Sequence, residues 1–404
     1  MTLIAIHLLQ NHAPSNLNRD ENGDPKDSIF GGARRARISS QALKRSVRKS
    51  EEFRAVVDPA LIGDRTQLLP TWIRDELAAF NVSDEERAAI LQHAVRFGKG
   101  DKRPAATPSD EGDGDEASAK GRGKGKGAAA ATSNAEETLK TAQLMFLTRR
   151  EVQTLTARLV EKCREIGPTA FAALDTEKDI VQVFNKKYGE LEPHAVDIAM
   201  FGRMTTSSPF KNIEAAVQVA PALSTHKIEP EFDFYTAVDD VSGETGAGFL
   251  GDTAFNSATY YKYFNIHWEG LLANLHDDQA VAATAVQALL RAAMTAIPTG
   301  KQNSFAAHNL PDFALIEVLP KNIPLSYANA FLKPVRAVDG ESLMESSIKA
   351  LTAYAEKLPA KYNLDVDRAV FAIPSYALAD ATECADLNEL VAWLQAHLPQ
   401  TAEA

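Results

Sequence analysis

Lys26, Arg34, Arg35, Arg37, Lys44, Arg45, Arg48 and Lys49 crowd into one stretch in which Asp27 is the only acid. Gly31, Gly32, Ser39, Ser40 and Gln41 stand among them. Arg, Lys, Ser, Gln and helix N-termini are the groups that meet phosphate oxygens. A glycine pair lets backbone approach a phosphate closely, although a plain turn explains Gly31-Gly32 as well. These residue types suggest the gripping of a sugar-phosphate chain. A charge run is ordinarily a solvated helix face, so on residue types alone the two readings balance.

Other candidate chemistry is thinner. Asp20, Asp24 and Asp27 share one loop, where carboxylates could hold Mg²⁺ beside a phosphodiester, but turn chemistry explains them more simply. Gly300-Lys301 invites a phosphate-loop reading that fails, because Thr295 stands where the first glycine belongs and Gln302 where Ser or Thr belongs. Lys301 remains as a second loop base able to touch a phosphate, or as part of an ordinary turn. "RMTTSSPF", from Arg203, sets Met204 and Phe210 among small polar residues. Such residues either fold back on a core or insert between bases. No hydrolase, metalloprotease or C-x-x-C signature occurs, and the nine histidines are scattered. No metal or cofactor is expected.

The elements that must position these residues begin with "LIAIHLL", a buried strand over residues 3–9, followed by a long loop from Asn11. A helix starts at Ser39 or Ser40, either able to cap it. On it Leu43 and Val47 share an inner face, while Gln41, Lys44 and Arg48 line another that is expected to meet an anion. The text then turns helical, with segments at residues 72–80, 84–97 and 136–166. Between them lies a low-complexity insertion, residues 98–135, in which Lys120, Arg122, Lys124 and Lys126 alternate with small residues. After residue 197 strand-like text returns: "AAVQVAPALSTHKIE", "FDFYTAVDDV" and the aromatic "TAFNSATYYKYFNIHW". An Ala-rich helix over residues 279–296 and the buried strand "FALIEVL" follow. Strands at both ends with a helical middle predict an α+β domain carrying a helical insertion.

The chain has 404 residues, 45% of them hydrophobic, enough for two or three domains with ordinary cores. Its net charge of -11 argues against coating nucleic acid by bulk charge, so a basic groove must act locally, within a Debye length of about 8 Å. No apolar run is long enough for a membrane span, and no signal peptide is legible at the start, so a cytoplasmic location is expected. Cys163 and Cys384 are expected to be reduced and structural.

"IHLLQNHAPSNLNRDENGDPKDSIFGGARRARISSQALKRSVRKS", "DIAMFGRMTTSS", "THKIEPEFDFYTAVDD" and "GKQNSFAAHN" together resemble the CasC family, the repeated backbone subunits of type I-E CRISPR Cascade surveillance complexes. The resemblance covers most of the chain and is weakest in the insertion and the last thirty or so residues. It implies a palm with a modified RNA-recognition-motif (ferredoxin-like) fold, residues 1–57 and 227–404, helical fingers over 58–195, and a β-hairpin thumb over 196–226. It implies a non-catalytic antiviral ribonucleoprotein subunit whose partners are crRNA, target DNA, further copies of itself in a helical filament, and other Cascade subunits. Arg19, Lys26, Ser39, Gln41, Lys44, Arg48, Lys49 and Lys301 fall on the family's RNA-contact positions, and Met204 on the thumb wedge. Lys186 and Lys187, with the four bases of the insertion, are the weaker candidates for DNA. Two other functions remain open: a Mg²⁺-dependent ribonuclease using a loop aspartate, as in related backbone subunits of other CRISPR systems, and a general single-strand binder.

Overall fold

A computed structural model of the chain describes residues 1–97, 139–205, 209–237, 249–338, 340–374, 376 and 378–399. The low-complexity insertion, and with it Lys120, Arg122, Lys124 and Lys126, lies outside the described residues. The amino-terminal part runs through β1 (Leu3–Ser15), β2 (Asp27–Phe30), β3 (Ala33–Ile38), α1 (Ser40–Lys49) and α2 (Glu51–Val56). Next come β4 (Asp64–Thr66), α3 (Leu69–Glu76), α4 (Asp84–Ala94), β5 (Met145–Leu147), α5 (Arg149–Ile166), α6 (Pro168–Ala172), α7 (Gln182–Tyr188) and α8 (Val196–Phe201). Then follow β6 (Val217–Val219), β7 (Ala222–Ser224), β8 (Glu231–Ala237), β9 (Phe249–His267), α9 (Trp268–Asn274), α10 (Gln279–Thr295) and α11 (Gln302–Phe305). The last are β10 (Phe313–Leu319), α12 (Leu343–Tyr362), β11 (Asp367–Ala372), β12 (Thr382–Glu383) and α13 (Leu387–Ala396). Two compact units result, Met1–Pro59 with Ala215–Ala404, and Ala60–Glu214.

The first unit is built on a large mixed sheet ordered β12-β11-β10-β1-β9-β7-β3-β2, with β6 and β8 also paired to β9. β1 is central, antiparallel to β10 on one side and β9 on the other. Leu3, Ala5 and Leu9 pack with Ile348, Leu351 and Ala355 of α12, and the alternate residues Ile4, Ile6 and Leu8 are fully buried too. Burial on both faces explains why this strand is a continuous apolar run. β1 continues past Leu9 to Ser15, where a loop was expected, because β9 goes on pairing with it through Asn11 and His12 until the register shifts. β8 pairs with the first part of β9 in a ribbon whose Phe232 and Phe234 are about two-thirds exposed.

The second unit gathers α3 to α7 around Trp72, Ile73, Ile90, Leu155 and Leu159. The helix expected from residue 136 starts at Arg149, where Thr148 and Glu151 form a reciprocal capping box that satisfies two end donors. The two-stranded sheet β4-β5 stands where only helices were expected. Residues 196–226, expected as one hairpin, divide between the units: α8 and the segment through Glu214 belong to the second, β6 and β7 to the first. Cys163 and Cys384 are both buried and free. Among the described residues no helix is long and apolar enough to cross a membrane.

Candidate nucleic-acid interface

Asn18 organises the basic stretch. Its carbonyl accepts from the Lys26 N–H at 2.9 Å, and its side-chain Oδ1 accepts from the Ser39 N–H at 2.8 Å. The Lys26 carbonyl in turn accepts from the Arg37 N–H at 2.9 Å, and Arg19 bridges to Pro25. Backbone pairing thus brings Arg19, Lys26, Arg37 and the start of α1 into one frame. Ser39 caps α1 by accepting from the Ala42 N–H at 3.2 Å, and the first turn holds no acid, so the positive end of the helix dipole is uncompensated there. The Ser39 oxygen serves as acceptor in that cap, and the residue is buried.

Along α1 the expected inner face holds: Leu43 and Val47 are buried. The opposite face does not stay open as expected. Gln41 and Lys44 are half-buried, and Arg48 is only 6% exposed. α1 packs against α2, α10 and β6, which cover more of its girth than one stripe. The exposed bases of the helix are Lys49 and Arg45, the latter missed because the helical spacing was followed from Gln41.

Gly31 and Gly32, at φ +59° and +74°, form the two-residue turn joining β2 to β3. Positive φ at both central positions is the hairpin turn whose twist suits the strands. The close approach at Gly31 is to the chain's own backbone: a Cβ there would lie 1.9 Å from the Leu332 carbonyl oxygen, whereas Gly32 faces open space. Gly32→Ala is expected to cost about 1 to 2 kcal/mol for left-handed backbone. Gly31→Ala adds about 1 to 3 kcal/mol of overpacking. Denaturant midpoints of the two variants check the order.

Arg35 is turned inward and fully buried, its guanidinium donating to the carbonyls of Ser224 at 2.9 Å and Phe331 at 2.6 Å. Burial lowers its pKa. Arg34 instead pairs with the Asp27 carboxylate on the adjacent strand. Asp20 Oδ1 accepts from the N–H groups of Asn22 at 2.8 Å and Asp24 at 3.0 Å, a turn role. Among the described residues no group of three or more His, Cys, Asp and Glu could hold a metal ion.

Lys301 joins this frame from the far end of the sequence. Gly300 is pressed onto the same stretch of backbone, where a Cβ would lie 2.3 Å from the Leu17 carbonyl oxygen. Lys301 is left-handed at φ +45°, half-buried, and donates from Nζ to Thr253 Oγ1 at 3.2 Å. The loop is anchored again at Asn309, whose Oδ1 accepts from the Ala13 N–H at 3.1 Å.

In the second unit, Arg203 roots the segment that carries Met204. Its guanidinium is buried against Glu151 at 2.8 Å and donates to the carbonyls of Phe146 and Lys211. Phe210 folds back into the core, whereas Met204 is 77% exposed. Lys186 and Lys187 lie exposed at the end of α7, with Lys187 3.5 Å from Glu161 and over the Tyr188 ring. The exposed rings of β8, Phe232, Phe234 and Tyr235, were missed as candidate sites. The i, i+2 spacing of Phe232 and Phe234, with Asp233 between, was the available signal for a one-sided aromatic face on which bases could stack.

The first unit therefore offers bases, a capped helix start and backbone amides, an arrangement suited to holding a polyanion without reading base edges. No curated protein sequence matches the chain. It is similar to a chain of a solved CRISPR RNA-guided surveillance complex, pre-nicking, at 28% identity and TM-score 0.75, over 98% of this chain and 99% of that one. A chain of a second CRISPR RNA-guided surveillance complex shares the fold at 24% identity and TM-score 0.66, over 98% and 99%. The model of the CT1975-like protein family matches residues 4–395, nearly the whole sequence, and the chain belongs to that family.

Proposed function

We propose that this chain is the crRNA-carrying backbone subunit of a Cascade-type surveillance complex, of the CasC kind found in type I-E systems. The observation that carries the reading is the single backbone frame joining Arg19, Lys26, the Ser39-capped α1 and the Lys301 loop. Such a frame holds sugar and phosphate and leaves bases free, as a carrier of arbitrary guides must, since pairing does the reading. The similarity to a chain of an RNA-guided complex over the full length of both supports it. In this reading the first unit contains the modified RNA-recognition-motif palm and the second the helical fingers. Met204 wedges beside a displaced nucleotide, and copies repeat along the guide. Target DNA and other Cascade subunits complete the assembly in the cytoplasm, and the subunit itself is a scaffold rather than an enzyme.

The test is binding of the purified chain to unstructured RNA oligonucleotides of unrelated sequence across a salt series. Wild type binds them alike. Replacing Lys26, Lys44 and Lys49 by glutamate together lowers affinity and reduces the slope by about 2 logarithmic units per tenfold salt, at roughly 0.7 per phosphate. Arg48 is left unchanged because reversing a buried arginine would test folding instead. An unchanged affinity and slope would sink the reading.

A further inference from the structure

Residues 330–338, Glu341 and the first turns of α12 border an open groove of about 380 Å³. Ala330, Pro334, Val335 and Ala350 give it an apolar floor, and Lys333, Arg336 and Lys349 line it with positive charge. Lys349 is paired with Glu341, which raises its pKa. Lys333 and Arg336 are exposed, and among the described residues neither forms an ion pair. Glu341 and Ser346 line it too, but the carboxylate is held by Lys349 and the Ser346 Oγ is closed to solvent. In a chain of net charge -11 this pocket thus offers a guanidinium fork and an ammonium. That donor set fits a tetrahedral anion, and the floor beside it fits the face of a sugar or base.

The groove adjoins the basic hairpin. Its wall continues into Phe331 and Leu332, where Arg35 of β3 holds the Phe331 carbonyl and the missing Cβ of Gly31 leaves room for the Leu332 carbonyl. The Val335 N–H donates to Thr225 at 3.0 Å, just beyond β7, the sheet neighbour of β3. We propose that this groove is a second phosphate-binding station for single-stranded nucleic acid, continuous with the β2-β3 hairpin and resting on the reading that the neighbouring surface carries RNA. The apolar floor beside the guanidinium favours a nucleotide over an acidic peptide, because it gives a base or sugar a face to pack on.

The experiment compares wild type, the Lys26, Lys44 and Lys49 triple variant, and Lys333→Ala/Arg336→Ala, all as full chains, for binding to an unstructured RNA oligonucleotide across a salt series. Both groove side chains are exposed, so the thermal midpoint of the double variant should match wild type. Its affinity should fall and its salt slope drop by about 1.4 logarithmic units, for two phosphates at roughly 0.7 each. Photocrosslinking with thiouridine-substituted RNA should label peptides within residues 330–350. If the triple variant loses binding while the groove variant keeps wild-type affinity and slope, this inference is overturned and the function proposed above stands. A wild-type chain that binds no RNA overturns both. Groove peptides that crosslink to another polypeptide in the assembled complex and never to RNA also overturn it.

Discussion

Replacing Glu151 by glutamine lowers the stability of the second unit by about 3 to 5 kcal/mol, the cost of leaving a buried charge without its counter-ion. Arg203 and Glu151 are 1% and 3% exposed at the side chain and 2.8 Å apart. Glu151 also closes the start of α5, accepting from both the Thr148 N–H and its hydroxyl at 2.9 Å. The guanidinium keeps its bonds to the carbonyls of Phe146, Leu191 and Lys211 in the variant, but those dipoles do not replace a full negative charge. Hydrogen exchange at amides of α5 and residues 209–213 reads the loss locally, without requiring the two units to unfold together. The double variant Glu151→Met/Arg203→Met should recover most of it, because an apolar pair of similar volume leaves no charge stranded. A loss below about 1 kcal/mol in Glu151→Gln, or no recovery in the double variant, would show that the pair is not what roots Met204.

The same pair shows where sequence and structure part. Thr148-x-x-Glu151 is a legible capping signature, yet a helix drawn from residue 136 runs over it, and nothing local marks Glu151 as the partner of an arginine 52 positions away. The start of α1 was readable to within one residue, at Ser39 or Ser40, because a cap is a local device, and so was its Leu43 and Val47 face. The burial of Arg48 was not, because a helical wheel shows which residues share a side but not how many neighbours crowd the helix. Gly31-Gly32 was legible as a turn from two residues alone. That Gly31 must admit the Leu332 carbonyl depends on a contact across 301 positions, and the inward turn of Arg35 toward Phe331 on one across 296. β4 and β5 are three-residue strands paired across a long separation, too short to show a period. The α+β organisation survives these misses because long elements such as β9, β10 and α10 carry their periodicity over many residues.

Between about pH 7 and pH 9 the first unit of wild type should gain stability relative to Lys262→Met by about 1.4 kcal/mol per pH unit, the slope of one proton. Lys262 is 1% exposed on β9, its Nζ donating to Gln10 Oε1 with no acidic partner among the described residues. Burial lowers its pKa from 10.5 to about 7. Above 7 the folded chain has shed this proton while the unfolded chain still holds it, so raising the pH favours folding. As the pH falls through the folded value that stability is lost, and below 7 the gap to the variant is constant. His12, whose pKa burial lowers to about 3, acts in a separate window, costing stability as the pH drops below 6.5. Tyr260 and Tyr261, raised by burial, matter only above their ordinary 10.0. The charge sits under the proposed RNA surface: Gln10 passes from Lys262 to the Asn309 carbonyl at 2.5 Å, and Asn309 anchors the loop that carries Lys301. Lys262→Met therefore removes a buried charge while freeing Gln10 beneath that loop. Denaturant unfolding of both proteins at half-unit steps of pH reads the slope, and parallel curves would mean that Lys262 stays protonated in the fold.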